Sequence, residues 1–267
     1  MNEIGYNTEY QKLQLRYAAL RESFANQVEG YDHYVTVIGP QLKGKYMVMI
    51  GQFEFRGFEL TVEIKRLQRM LTLRQSALNK GEKPDAAAIT RQVDQEMQKY
   101  MRTVRKNIEL INDAVKEMEA ERLSESESLE LRTMYLDAVK HLHPDANLGL
   151  PQSAVNLWIH IQAAYEMKQW DAFRFLCATV DGVVSGEKTF DASTDGMEAL
   201  KNAVAALEKR CAELQKRQRE LVSKPPFIYQ EMLDDPEEVK LRQGELFDKI
   251  ASLEETLGKY KEAWNNG

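Results

Sequence analysis

Near the end of the chain, Met197, Leu200, Val204, Leu207, Cys211, Leu214, Gln218 and Leu221 alternate spacings of three and four residues without a slip. Only an α-helix brings such positions to one side, and that side needs covering because its one polar member is Gln218. A second run, Leu246, Ile250, Leu253, Leu257, Tyr260 and Trp264, follows a loop that holds Pro225, Pro226 and Pro236. Two heptad helices joined by a proline-rich loop most simply fold back as an antiparallel coiled-coil hairpin, expected over 191–267. Self-association through the same seams is the competing arrangement, since periodicity shows that a face needs a partner without saying whose.

The prolines cut the rest of the chain into long helical stretches. The first runs from about Glu9 to Val37, with Leu13, Tyr17, Leu20, Phe24 and Val28 on one face, and should stop at Gly39-Pro40. The second runs from about Lys43 to Asn79, carries Ile50, Phe53, Phe58, Ile64, Leu67 and Leu71, and ends at a plausible left-handed cap, Asn79-Lys80-Gly81. Gly51 and Gly57 interrupt it, which predicts close packing against a neighbour. A strand over Val48–Phe55 is the alternative. A third helix should span about Asp85 to Arg122 through Ile89, Val93, Met97, Met101, Val104, Ile108, Ile111 and Val115. The polar stretch Ser124–Ser128 offers N-caps and a boundary. The expected fold is therefore all-α: an N-terminal antiparallel helical bundle at 1–123, a central segment at 124–190 and the hairpin at 191–267.

With 267 residues, 43% of them hydrophobic, the chain can bury a sizeable core. A net charge of −6 argues against binding nucleic acid by phosphate neutralisation. Two cysteines, Cys177 and Cys211, sit in helical patterns and suggest reduced, inert thiols. No apolar run is long enough to span a membrane, and the first residues lack the basic start and apolar core of a secretory signal. A cytoplasmic protein is expected.

The chemistry concentrates at Tyr135–Asp145, which ends in Leu142-His143-Pro144-Asp145. Pro144 lacks a backbone donor and pushes His143 out of the α region, so the helix should stop near Leu142. Asp145 can then accept from nearby backbone N–H groups and hold the turn. A second helical pattern follows, with Ile161-Gln162-Ala163-Ala164-Tyr165-Glu166 within it.

These two elements, in this order and with a loop between them, make the stretch from about Ser124 to Asp181 resemble a J domain. That is the module by which DnaJ-type co-chaperones engage DnaK-type chaperones. In the family one helix ends in Leu-His-Pro-Asp and the next carries an Ala-Tyr-Glu signature. The resemblance implies that His143, Pro144 and Asp145 contact the chaperone ATPase while Arg132, Lys140 and His141 steer its approach. It also implies that Leu142, Leu157, Ile161 and Tyr165 pack the two helices together. Glu125, Glu127, Glu130 and Asp137 depart from the basic helix of an efficient co-chaperone, so steering should be weak. The second helix is expected to continue through Lys168–Leu176, where the family ends it. No Gly/Phe-rich linker or Cys-x-x-Gly repeat follows.

A metal reading draws on His141, His143, Asp145 and His160, but His-x-His-x-Asp sites need strand ends and further donors. Trp158, Tyr165, Trp170, Phe173 and Phe175 read as core packing rather than a ligand surface. No phosphate-binding loop or nucleophile motif is present. The expectation is a non-enzymatic, cofactor-free, J-domain-like co-chaperone or adaptor with a DnaK-type partner. The alternative is a helical scaffold that keeps the J fold as a brace.

Overall fold

The computed structural model describes residues 3–119, 123–180, 190 and 193–266. The expected end of the third helix at 120–122 and the tail of the central segment at 181–189 lie outside them. The described residues are all-helical, with no strand, so Val48–Phe55 is helical. In chain order the helices are α1 (Glu3–His33), α2 (Gly39–Tyr46), α3 (Gln52–Asn79), α4 (Ala86–Glu96), α5 (Gln98–Glu119), α6 (Glu125–Leu142), α7 (Gln152–Glu166), α8 (Trp170–Cys177), α9 (Thr194–Val222), α10 (Gln230–Asp234) and α11 (Pro236–Asn265).

Several helix limits follow from local chemistry. Ser124 caps α6 with a complete capping box, its hydroxyl accepting from the Glu127 N–H while the Glu127 carboxylate accepts from the Ser124 N–H. Asp85 caps α4 by accepting from the Ala87 and Ala88 N–H groups. Gly81, at φ +74°, closes α3 in the left-handed conformation expected of it.

Pro40 does not end the first helix. Tyr34–Ile38 forms a π-helical turn in which the Gly39 N–H reaches back to the Tyr34 carbonyl. The wider turn changes the hydrogen-bond register, so Pro40 falls in the first turn of α2, where a missing N–H costs little. A second π-helical turn, Met47–Gly51, precedes α3. At Gly57 an added Cβ would meet Leu253 Cδ1 at 3.8 Å, an ordinary contact. Gly57 therefore faces α11 without the very close approach expected of it.

The expected division into three consecutive segments gives way to two compact units built from separated stretches. The first unit is Met1–Pro40 with Glu121–Phe227, and the second is Gln41–Ala120 with Ile228–Gly267. The expected hairpin is likewise replaced by one pairing in each unit. In the first, α9 packs along α1, and Met197, Leu200 and Val204 cluster with Tyr10, Leu13, Tyr17 and Leu20. In the second, α11 packs along α3, and Leu257, Ile250 and Leu253 join Leu60, Ile64 and Leu67. A heptad stripe fixes which face is apolar, but any long helix with a matching stripe can cover it. Both seams are thus covered from within the chain.

Candidate partner-binding site

The site is built in the first unit on α6, α7 and the turn between them. α6 stops as expected: His143 adopts φ −67°, ψ 124°, and its N–H closes the last helical bond to Val139. The turn is held by groups other than the Asp145 carboxylate. The Ala146 and Asn147 N–H groups both donate to the His143 carbonyl. The Asn147 side-chain amide donates to the Lys140 and His143 carbonyls at 2.9 and 3.1 Å, and the Asp145 N–H donates to His143 Nδ1 at 3.1 Å. The Asn147 side chain thus shares with Arg21 and the Ala146 N–H the carbonyls at the end of α6.

α6 and α7 pack antiparallel, because Tyr135 meets Tyr165 while His143, two turns later, meets Trp158. The Tyr135 and Tyr165 rings stack at 4.2 Å, and Phe173 of α8 completes the aromatic cluster. Leu142, Ile161 and Tyr165 are fully buried in this core and Leu157 packs on it, so all four expected core residues come together. Of the aromatic set, Trp158, Tyr165 and Phe173 are buried, whereas Phe175 is 71% exposed. α7 does not run on through Lys168. It ends at Glu166, with Lys168 at φ +55° and the Gln169 N–H donating back to the Ala164 carbonyl, and the short α8 follows.

The surroundings of the turn could not be read from the motif. The His143 ring lies between Phe24 of α1, at 4.9 Å, and Trp158, at 5.1 Å. Burial pushes its pKa down to about 4, with Asp145 opposing the shift and Arg210 adding to it, so the imidazole is neutral at pH 7. Asp145 itself pairs with Arg210 of α9 at 3.5 Å. Pro144 is exposed at the tip. From α1, Tyr17 donates to the Ala146 carbonyl, and Arg21 reaches the Lys140 carbonyl and the Asn147 side chain.

The expected steering residues are engaged as well. Arg132 makes a two-point contact with the buried Glu29 at 2.6 and 3.0 Å, and Lys140 pairs with Glu22 at 2.7 Å. His141 Nδ1 lies 2.9 Å from the Asp137 carbonyl of its own helix. Beside these pairs Asp32 accepts from the Tyr135 hydroxyl at 2.6 Å. Burial raises the Asp32 pKa to about 6; the Tyr135 bond opposes this, and Glu166 and Glu29 add to it. Glu22, Glu29 and Asp32 recur at spacings of seven and three on α1, a signal the sequence held but nothing singled out.

Among the described residues no three His, Cys, Asp or Glu side chains gather as a metal set. Cys177 and Cys211 are free thiols, and burial raises both pKa values, that of Cys177 to about 12. No described helix is long and apolar enough to cross a membrane. No protein-family model, curated protein or solved structure matches the chain.

Proposed function

We propose that α6, the His143-Pro144-Asp145 turn and α7 form a J-like element through which this protein, as a cytoplasmic co-chaperone or adaptor, engages a DnaK-type chaperone. The observation that carries this reading is that two motif elements separated in sequence share one core. Leu142 and His143 at the end of α6 pack with Trp158, Ile161 and Tyr165 of α7, which leaves Pro144 at the tip of the helix pair. Arg132, Lys140 and His141 lie on the helix that leads into that tip. His143 is packed between the Phe24 and Trp158 rings, which suits a role in protein contact.

A second reading, a helical scaffold in which the J-like pair is a structural brace, is favoured by one observation. α1 and α9 both pack against the turn and take up its charged groups. The two readings separate in single-turnover ATP hydrolysis by the DnaK-type chaperone of the same organism, at low salt and with the protein in molar excess. Measurable stimulation by the wild type, lost in a folded His143→Gln variant, supports the co-chaperone. No stimulation by either protein, both folded by circular dichroism, supports the brace.

A further inference from the structure

We infer that α1 and α9 form an intramolecular mask over the J-like element, with the acidic face of α1 standing where an acidic surface of the chaperone would dock. The inference rests on the co-chaperone reading and adds regulation to it.

The argument starts from spacing. Glu22 and Glu29 are seven residues apart on α1, so they lie on one side of that helix, two turns apart. Their partners, Lys140 and Arg132, are eight apart on α6 and are met in the reverse order, as two antiparallel helices require. Phe24, two residues after Glu22 on α1, packs against the His143 ring just beyond Lys140. One helix therefore neutralises two basic residues and covers the histidine that follows them at the end of α6. Arg210 of α9 approaches from another helix and takes the Asp145 carboxylate. Each group that the motif would offer to a partner, apart from Pro144 and His141, is thus already in contact with α1 or α9.

The pairs at the rim differ from those beneath. Glu29 is buried, whereas Glu22 and Arg210 have more than half of their side-chain surface exposed. Exposed pairs are individually weak and open readily. A partner offering a carboxylate to Lys140 and a cation to Asp145 can compete at the rim first and displace α1 afterwards. The mask attenuates and does not abolish engagement.

The test uses the full chain carrying Glu22→Lys together with Arg210→Glu. Both rim pairs become repulsive while the net charge stays the same. Losing two exposed pairs raises the open population about fivefold. Two readouts are taken. The first is carbethoxylation of His143 by diethyl pyrocarbonate, followed by mass spectrometry, with the exposed His160 as internal reference. The second is stimulated single-turnover ATP hydrolysis by the DnaK-type chaperone.

Faster modification of His143, with several-fold greater stimulation that disappears when His143→Gln is added, is the expected result. Faster modification with stimulation equal to the wild type overturns the mask and leaves the co-chaperone reading standing. Faster modification with no stimulation by any variant overturns the co-chaperone reading, and the mask with it. Unchanged reactivity of His143 shows that these pairs do not hold the turn and also overturns the mask. Should the reversal unfold the chain, Arg210→Ala alone, which only deletes a contact, is read against the same outcomes at smaller amplitude.

Discussion

Replacing Asp32 with Asn tests the electrostatics of the first unit most directly. Asp32 is half-buried against α6 and accepts from the Tyr135 hydroxyl at 2.6 Å. Its pKa rises from 3.8 to about 6 on folding. A raised acid favours the fold in its protonated form, so its contribution is complete below pH 3.8 and is lost as pH rises through 6. A shift of about two units corresponds to roughly 3 kcal/mol across the whole window. Part of this is already lost at pH 5, because the unfolded carboxylate is ionised there, which leaves about 1.4 kcal/mol to be lost between pH 5 and pH 8. Asn keeps an oxygen to accept from Tyr135 and carries no charge. Urea unfolding followed by tryptophan fluorescence, to which Trp158 and Trp170 of this unit contribute, should show Asp32→Asn gaining on the wild type by about 1.4 kcal/mol from pH 5 to pH 8. Taking the difference between the two proteins cancels the titration of every other group. The same difference at both pH values, or a gain at pH 5 that vanishes at pH 8, would refute the assignment of a half-buried, raised carboxyl.

His143 should act in the opposite sense. Its pKa falls from 6.5 to about 4 on folding, so its stabilisation is lost as pH drops from 6.5 towards 4; His143→Gln should lose about 3 kcal/mol less than the wild type over that range in urea titrations. Arg132→Met leaves the buried Glu29 without its two-point partner and should lower unfolding stability at pH 7 by about 2–4 kcal/mol, and a loss below 1 kcal/mol would show that water replaces the arginine. Leu207→Ala empties a position in the core shared by α1, α6 and α9 and should cost about 2–5 kcal/mol in chemical denaturation.

The helix limits were legible wherever the signal is local. Ser124 with Glu127, Asp85, Gly81 and the His143-Pro144 junction are decided by backbone groups a few residues away, and each lies where its chemistry puts it. The contact of Leu142, Ile161 and Tyr165 was also within reach, because the resemblance supplied the pairing of their helices. Choice of partner was not legible. The stripe of α9 is equally satisfied by α11 or by α1, and nothing in Met197–Leu221 distinguishes them. Pro40 misled because a π-helical turn upstream moves it to a position where its missing N–H does no harm. At the site, Asn147 and the acidic face of α1 escaped notice since their roles arise only once α1 is laid against α6, more than a hundred residues away.

The interleaving of the two units has a consequence during translation. α1 leaves the ribosome before α9, yet Arg16 meets Glu208, 192 positions further on. At about 5–20 residues per second, the apolar stripe of α1 waits roughly 10–40 s for α9 to be made. Throughout that interval Tyr10, Leu13, Tyr17 and Leu20 have no native cover from α9, while 41–120, belonging to the other unit, is synthesised in between. A nascent chain held in this state offers an exposed amphipathic helix to whatever binds such helices near the exit tunnel.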